Sequence, residues 1–353
     1  MIKKLKIKNY KSLKDVELEL DKFNVLIGPN ASGKSNLLDC LTFISEIAKG
    51  DIDGSLRGRG GYERVVFSGK KENIELSINF MLDNEASQYF ISISEKGIDE
   101  ERLSIGDVEV IDRHLNDIKK RLDTGDFENV NVGTWIAAIY YYSPQNKEYL
   151  TSWRSYNFIT SEMRRTYPAR KKLVLDKNGG NLAQVLLSLH NERPKIFDEI
   201  ENMLEQAIPQ IDELLTPLTD DGLSYVSIKE KGFDSPFDYF QVSDGTLRLL
   251  AYITAITAIE PKLICFEEPE NFIHPRLFEL LVEILKKSDK QIILSTHSPY
   301  LVDWVEPEDV IIVEKKDKET VTNRIKDEDK LRRHLKEMGL GELLYSGEVG
   351  GVP

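Results

Sequence analysis

The chain has 353 residues, of which 41% are hydrophobic and 30% are charged, so it can form one large α/β domain or two smaller domains with cores of their own. No apolar run approaches the roughly 20 residues that a membrane-spanning helix needs. Lysines interrupt the N-terminal segment 1–7 before a signal-peptide core could form. We therefore predict a cytoplasmic protein with no membrane partner. The net charge of −13 argues against broad, nonspecific attraction to nucleic acid.

The first fifty residues predict three short strands and a helix. Apolar and polar residues alternate, as in half-buried strands, at 5–7, 16–20 and 23–27. From Ser35 to Lys49 the apolar residues fall on one face at helical spacing, and Gly50 ends the helix. Residues 51–69 are rich in glycine and arginine and predict a surface loop. An antiparallel hairpin is predicted from the alternation at 74–82 and 88–94.

The middle of the chain, residues 106–235, predicts a compact insert that is mostly helical. Apolar residues recur at helical spacing near 112–123, 181–191 and 195–206. The sequence contains no sustained heptad repeat, so it does not encode a long coiled-coil arm. Basic clusters, which fit either solvated faces or a local contact with DNA, occur at 119–121, 164–165 and 170–172.

The C-terminal part, residues 236–353, predicts strands that alternate with helices. The segment 245–259 is apolar almost all round, which suits a helix buried between layers. Buried strands are predicted at 263–266, 291–295 and 310–313. A helix at 276–287 links the first two, and this alternation implies a mainly parallel sheet. The predicted fold class is α/β, with an antiparallel β subdomain at the N-terminus and the helical insert.

A phosphate-binding loop follows the strand at 23–27. The pattern G-x-x-x-x-G-K-[ST] is formed by Gly28, Pro29, Asn30, Ala31, Ser32, Gly33, Lys34 and Ser35, with Asn36 next. Its glycines let backbone N–H groups converge on phosphate oxygens, and the helix adds its positive N-terminal end. Lys34 would reach the β- and γ-phosphates, and the Ser35 hydroxyl would bind Mg²⁺. The sequence therefore predicts a nucleoside triphosphate and Mg²⁺ as the ligands of this loop.

Two acids and a histidine follow later predicted strands. Glu267 and Glu268 end one of them, and ligands bind at the carboxyl ends of strands in open α/β sheets. Glu267 would hold Mg²⁺ through water, and Glu268 would orient and deprotonate the attacking water. His297 ends the next strand and would hydrogen-bond the γ-phosphate. We therefore predict that Glu268, His297 and Lys34 are catalytic.

The turn Ser243-Asp244-Gly245 precedes the apolar segment at 245–259. A Ser/Gly turn is first of all a helix N-cap. It also presents free N–H groups and a hydroxyl, which could form a second anion site. The residues alone leave both interpretations open.

The four segments GPNASGKS, VSDGTLR, LICFEEPENFIHP and LSTHSP resemble the ABC-type ATPase heads of the SMC/RecF/OLD-like group. The resemblance extends over residues 1–315 and is greatest to compact AAA-type ATPases without a coiled-coil arm or a TOPRIM domain. It implies a P-loop NTPase fold in three parts. These are a nucleotide-binding half at 1–105, the inserted lobe at 106–235, and a half with the signature, Walker B and His-switch motifs at 236–353.

The resemblance also implies a homodimer that sandwiches ATP. In such heads the signature turn of one subunit contacts the γ-phosphate held by the other, so Ser243, Asp244 and Gly245 would act on ATP bound to Lys34 of a second chain. Residues 269–274 would cross the dimer seam. Hydrolysis would then need two chains.

Several positions depart from the family pattern. Glu267 stands where the Walker B motif usually has aspartate, and Asp244 stands where transporter ATPases have glycine. The second difference argues against a transporter partner. The glutamine that usually completes the magnesium shell is not identified, although Gln88 and Gln145 are candidates.

The leading hypothesis is an ATP-hydrolysing, nucleotide-gated dimer whose insert or C-terminal segment 340–345 transmits the change to a partner. Family analogy suggests DNA processing or anti-phage defence, with a separately encoded nuclease or toxin as effector. One alternative is a slow or non-hydrolysing scaffold that sequesters a partner protein. Another is a RecF-like ATPase that acts directly on DNA, whose turnover DNA would stimulate.

Overall fold

The first two alternating N-terminal segments pair as antiparallel strands in a computed structural model of the chain. The structure describes residues 1–69, 72–114, 117–121, 126–130, 133–134, 136–257, 261–325 and 339–346. The chain forms two compact units, the first comprising Met1–Trp153 and Pro307–Pro353 and the second Arg154–Glu306. Across the described ranges, no helix is both long enough and apolar enough to cross a membrane.

The N-terminal segment of the first unit contains nine described strands. They are β1 (Ile2–Tyr10), β2 (Leu13–Glu19), β3 (Phe23–Ile27), β4 (Ile74–Leu82), β5 (Glu85–Ser94), β6 (Gly97–Ile105), β7 (Val108–His114), β8 (Asp117–Arg121) and β9 (Phe127–Val130). The helices of the same region are α1 (Lys34–Ala48), α2 (Ile52–Gly58), α3 (Tyr62–Val65), α4 (Ile139–Tyr142) and α5 (Pro144–Thr151). The three predicted strands, the first predicted helix and the predicted hairpin are confirmed by β1–β5 and α1.

Eight of the described strands form one antiparallel sheet, in the order β2-β1-β4-β5-β6-β7-β8-β9. Alternate side chains of a strand point to the same face, and one face of this sheet is apolar. Leu5 lies opposite Ile78, and Ile7 lies opposite Leu76; all four side chains are buried. The alternation in the sequence therefore reports burial of one face of the sheet.

The helix predicted near 112–123 is wrong, because β7 and β8 occupy much of this segment. Ile111 and Arg113 are both buried, two residues apart as on one face of a strand. Arg113 lies opposite Glu101 of β6. A charged residue at a core position hid the strand pattern. The interpretation of residues 106–235 as mostly helical therefore fails for its first part.

Glu101 also fixes the chain segment that leads to α5. Its carboxylate accepts hydrogen bonds from the backbone N–H groups of Ala138 at 2.7 Å and Ile139 at 3.1 Å, and from the hydroxyl of Tyr89 at 3.0 Å. Burial raises the pKa of Glu101 and lowers the pKa of Arg113, so desolvation outweighs their attraction in both groups. The buried pair thus holds the start of α4, and the following helix α5 packs against α1.

The prediction of a surface loop at 51–69 is also wrong, because this segment contains α2 and α3. Asp51 caps α2 by accepting a hydrogen bond from the backbone N–H of Gly54 at 2.7 Å. Arg59 is largely buried and lies 3.0 Å from Asp39 of α1. Glycine and arginine, which suggested a solvated loop, here serve as a helix end and as an anchor to α1.

The second unit contains short strands and most of the longer helices. Its strands are β10 (Arg154–Tyr156), β11 (Tyr167–Pro168), β12 (Ile211–Leu215), β13 (Leu223–Ser224), β14 (Ser227–Glu230), β15 (Phe237–Asp238), β16 (Leu263–Glu267) and β17 (Gln291–Thr296). Its helices are α6 (Thr160–Met163), α7 (Leu182–Glu192), α8 (Pro194–Ala207), α9 (Asp244–Thr257), α10 (Phe278–Lys287) and α11 (Pro299–Val302). The helices predicted in this part of the chain are confirmed by α7, α8, α9 and α10.

Parallel pairing joins β10 to β16 and β16 to β17. In this register Glu267 lies opposite Ser295, so the carboxyl ends of β16 and β17 meet at one edge. Both strands are buried almost throughout, as expected for parallel strands covered by helices. Helix α9 is buried at every position from Leu247 to Ile256, which confirms that it lies between layers.

The first unit resumes with β18 (Val310–Lys316), β19 (Glu319–Arg324) and α12 (Leu340–Ser346). Strand β18 pairs in parallel with β3 and antiparallel with β19. The motif-bearing strands are therefore mainly parallel and the N-terminal sheet is antiparallel, which confirms the predicted α/β class. The compact units divide after Trp153 and Glu306, whereas the divisions at 105 and 235 stay an interpretation of the sequence.

Candidate functional site

The loop after β3 is built around two glycines that cannot be replaced without strain. A Cβ atom on Gly28 would lie 1.9 Å from the backbone carbonyl oxygen of Val313 in β18. Gly33 has a φ of 116°, and a Cβ there would lie 2.0 Å from Oγ1 of Thr320. The neighbouring strands thus press on the loop backbone at both ends, and only glycine fits.

Lys34 reaches back over the loop that precedes it. Its ammonium group donates hydrogen bonds to the carbonyl oxygens of Gly28 at 2.6 Å and Pro29 at 2.9 Å. The residue is only 5% exposed. A buried cation held by neutral carbonyls is well placed to exchange those partners for phosphate oxygens. Together with the N-terminus of α1, this geometry fits a triphosphate.

A chain of hydroxyl groups braces the loop from the side. Thr320 of β19 donates from Oγ1 to the carbonyl oxygen of Ser32 at 2.8 Å. The same Oγ1 lies 2.7 Å from Oγ of Ser12, which accepts a hydrogen bond from the side-chain amide of Asn36 at 2.7 Å. The side-chain amide of Asn36, which was predicted to bind the nucleotide, thus donates its hydrogen bond to Ser12.

The other predicted loop residues keep accessible positions. Ser35 is exposed at the start of α1, and Asn30 and Ala31 are exposed at the tip of the loop. Ala31 has a positive φ of 62°, a conformation that costs energy in a residue other than glycine. Magnesium bound with a nucleotide takes phosphate oxygens, waters and only one or two protein groups. Ser35 in the first unit is exposed, and Glu267 in the second unit is part-buried.

The general-base candidate Glu268 occupies a strained position just after β16. Its φ is 45°, and its backbone N–H donates to the carbonyl oxygen of Ser295 at 2.8 Å. Its carboxylate accepts a hydrogen bond from the side-chain amide of Asn271 at 2.9 Å and remains 37% exposed. Strain of this kind persists where surrounding contacts hold it and is frequent at functional sites.

His297 lies directly beside this carboxylate. Its Nδ1 is 3.3 Å from Oε1 of Glu268 and 3.8 Å from Oε1 of Glu270. The imidazole is 43% exposed, so one edge faces solvent. The second unit therefore brings the predicted base and the predicted His switch into contact. In the sequence, 28 residues lie between Glu268 and His297.

The signature turn is a capped helix start held by a part-buried arginine, Arg164. Ser243 accepts a hydrogen bond at Oγ from the backbone N–H of Thr246 at 3.1 Å, which confirms it as the N-cap of α9. Asp244 receives Arg164 Nη2 at 2.5 Å and the hydroxyl of Thr160 at 3.2 Å. The hydrogen bond from Arg164 lowers the pKa of Asp244. A Cβ on Gly245 would lie 3.0 Å from the carbonyl oxygen of Phe272.

The sequence patterns did not indicate several residues that support the site. Ser12 and Thr320 lie far from the loop in sequence and belong to no local motif, so no pattern could have indicated them. Glu270 stands within EEPEN, where the spacing of acids could have drawn attention to it. The two candidate glutamines, Gln88 and Gln145, are exposed in the first unit, on β5 and α5.

The chain is similar in sequence and in fold to known proteins. The family model described as "AAA domain, putative AbiEii toxin, Type IV TA system" matches residues 23–303. An OLD nuclease of Thermus scotoductus is 26% identical over 94% of this chain, which spans 65% of that relative's length. An ATP/GTP phosphatase of Helicobacter pylori is 21% identical over 89% of each chain.

A solved structure with a similar fold is an Smc head bound to the C-terminal winged-helix domain of ScpA. It has a TM-score of 0.62 and 15% sequence identity, and the match covers 91% of this chain and 97% of that one. At this identity the likeness concerns the fold. The family match covers most of the chain and includes both the phosphate loop and the acids after β16. The chain therefore belongs to this AAA domain family and is an ATPase with an SMC/OLD-like, ABC-type head.

Proposed function

We propose that the chain is a nucleotide-gated dimeric switch in which ATP binding closes two heads and hydrolysis reopens them. The observation that carries this proposal is the arrangement of Glu268, whose exposed carboxylate is held between Asn271 and His297. A carboxylate fixed in this way can orient a water molecule and accept its proton. A protein that only sensed ATP would not need such a base.

Each motif has a role in this scheme. Lys34 exchanges the carbonyl oxygens of Gly28 and Pro29 for the β- and γ-phosphates. Ser35 and Glu267 hold Mg²⁺, which neutralises charge on the phosphates when bound. His297 contacts the γ-phosphate and responds to its loss.

The signature turn supplies the second half of the gate. Ser243, Asp244 and Gly245 present the N-terminus of α9, a site that attracts anions, to the γ-phosphate held by a partner chain. Arg164 and Thr160 hold Asp244 so that the turn keeps its shape. One chain alone is then unable to complete hydrolysis.

The output of the switch is action on DNA or defence against phage, carried out by a separately encoded effector. The resemblance to an OLD nuclease and the family description naming a toxin support an effector of nuclease or toxin type. The Smc head that binds a domain of ScpA supports a protein partner docked on the head. The cytoplasm is the proposed compartment.

Direct action on DNA ranks second, because the basic clusters are partly neutralised. Arg164 is engaged with Asp244, Arg165 lies 2.9 Å from Glu162, and Lys171 lies 2.6 Å from Glu192. These contacts fit structural roles and solvated faces better than a phosphate-binding strip.

The test compares the wild-type protein with Glu268→Gln for ATP turnover and for dimerisation. We expect the substitution to reduce turnover by at least about 100-fold and to trap an ATP-bound dimer, because binding and closure need no base. Turnover that survives the substitution would contradict the role of Glu268. A wild-type protein that dimerises with ATP but never hydrolyses it would support the scaffold alternative.

DNA provides a separate arm of the same test. Turnover that DNA stimulates, with an affinity that falls steeply as salt is raised, would favour the RecF-like alternative. Turnover that is indifferent to DNA supports action through a protein effector.

A further inference from the structure

Glu270 joins the two loops that carry the predicted catalytic residues. It follows Glu268 by two positions in the loop after β16, and its side chain is only 6% exposed. Its Oε1 accepts a hydrogen bond from the hydroxyl of Thr296 at 2.6 Å and from the backbone N–H of His297 at 3.3 Å. One carboxylate oxygen thus holds the end of β17 at the point where the histidine begins.

The contacts of Thr296 extend this connection beyond His297. Its Oγ1 donates to Glu270 and also accepts a hydrogen bond from the backbone N–H of Ser298 at 2.9 Å. The backbone on both sides of His297 is therefore fixed through Thr296 and Glu270. Because the imidazole lies 3.3 Å from Glu268, a shift of this backbone would move the histidine away from the base.

The burial of Glu270 separates its role from that of Glu268. A carboxylate that is 6% exposed is poorly placed to meet water or a nucleotide, whereas Glu268 is 37% exposed. Burial also raises the pKa of Glu270, which shows that its surroundings do not favour the charge. The contribution that the geometry does favour is hydrogen-bond acceptance at Oε1.

We propose that Glu270 is a positioning residue, which sets the distance between His297 and Glu268 by accepting hydrogen bonds from Thr296 and from the His297 backbone. This inference rests on the proposed hydrolytic function of Glu268. It assigns to Glu270, the third acid of EEPEN, a task distinct from metal binding and from proton transfer. It also explains why a buried carboxylate stands in a loop beside the site.

Two substitutions of Glu270 separate the effect of its hydrogen-bond acceptance from the effect of its negative charge. Glu270→Gln keeps an oxygen acceptor for Thr296 and His297 and replaces Oε2, which has no hydrogen-bond partner within the described residues, by an amide group. Glu270→Ala removes the acceptor. We expect Glu270→Ala to lower kcat by about 100-fold, as small misplacements at a reacting centre do, with little change in KM for ATP. Glu270→Gln should retain most of the wild-type kcat.

Thr296 provides a second pair that leaves Glu270 in place. Thr296→Val removes the hydroxyl at nearly constant volume, and Thr296→Ser keeps it. We expect the valine variant to lose turnover and the serine variant to retain it. This pair decides the matter if Glu270→Ala does not fold.

The imidazole signal of His297 in a ¹H–¹⁵N NMR spectrum gives a readout that needs no ATP, once it is assigned by its loss in His297→Gln. Glu270→Ala and Thr296→Val should shift this signal, and Glu270→Gln and Thr296→Ser should leave it near the wild-type position. An unshifted signal with wild-type kcat in Glu270→Ala would overturn the proposal. Equal impairment of Glu270→Gln and Glu270→Ala would overturn it too, since the charge would then matter. A wild-type protein without turnover would contradict the proposed function, while the ring signal would still show whether Glu270 holds His297.

Discussion

The hydroxyl of Thr320 donates a 2.8 Å hydrogen bond to the carbonyl oxygen of Ser32, which ties the hairpin β18–β19 to the phosphate loop across nearly the whole length of the sequence. Thr320 is 2% exposed and Ser32 is 1% exposed. The bond turns the Ser32 carbonyl toward the hairpin and keeps the loop backbone in one conformation. Preorganisation of this kind lowers the cost of binding a phosphate group.

We predict that Thr320→Val weakens ATP binding by about tenfold, because a buried carbonyl left without its donor costs about 1–3 kcal/mol and the loop can then relax. Thr320→Ser, which keeps the hydroxyl, should bind nearly as the wild type does. Calorimetric titration with ATP measures the difference. Thr322→Val on the same strand is the matched control. Unchanged affinity in Thr320→Val would show that the loop holds its conformation without this bond.

The main effect of Gly28→Ala should be a loss of folding stability. The added Cβ would lie 1.9 Å from the carbonyl oxygen of Val313, which belongs to a strand and cannot move freely. We expect the free energy of unfolding to fall by about 1–3 kcal/mol, as in overpacked cores. Gly58→Ala, where a Cβ meets nothing within 4 Å at the end of α2, should be neutral or stabilising by up to about 1 kcal/mol. Urea unfolding compares the two, and equal stability would argue against the close approach.

Arg113→Met should cost about 3–5 kcal/mol of unfolding free energy, because it leaves Glu101 buried without its partner. Glu101 already has a raised pKa, so the folded state binds its proton more tightly than the unfolded state does. Stability from this group therefore increases as the pH falls toward the folded pKa. In Arg113→Met the loss should shrink as the pH falls from neutral toward the ordinary glutamate range.

The double variant Arg113→Met/Glu101→Gln tests that explanation, because a neutral amide has no carboxylate to protonate. It should be more stable than Arg113→Met near neutral pH and should lack the extra pH dependence. Denaturant curves at several pH values measure both effects. A pH-independent loss in the single variant would mean that Glu101 is not the cause.

Arg164→Gln should weaken ATP-driven dimerisation and leave ATP binding by a single chain unchanged. Arg164 donates to the carbonyl oxygen of Val242 at 2.6 Å and to Asp244 at 2.5 Å, so its loss frees the signature turn. The neighbouring Arg165, which is 60% exposed and pairs with Glu162, offers a matched control in Arg165→Gln. Both substitutions are made in the Glu268→Gln protein, and analytical ultracentrifugation in the presence of ATP measures the fraction of dimer. Equal dimerisation of the two arginine variants would show that the conformation of the signature turn does not affect ATP-driven dimerisation.

The sequence by itself determined the ligand and the class of fold. The phosphate-loop pattern depends on local backbone chemistry, because glycines, a lysine and a following helix act within nine consecutive positions, Gly28 to Asn36. The buried strands before Glu267 and His297 were visible for the same reason, since continuous apolar runs of this length report burial in a parallel sheet. The antiparallel hairpin and the buried helix α9 were equally clear from periodicity.

Only the tertiary structure decided how these residues are supported. The helix expected near 112–123 became strands because Arg113 occupies a core position opposite Glu101, which no hydrophobic pattern reveals. The contacts of Thr320 with Ser32 and of Glu270 with Thr296 join segments distant in sequence, and single polar residues carry no periodic signal. Hydrogen bonds and ion pairs depend on exact placement in space, whereas burial leaves a pattern along the chain. That difference is the physical reason why the motifs could be predicted and their supports could not.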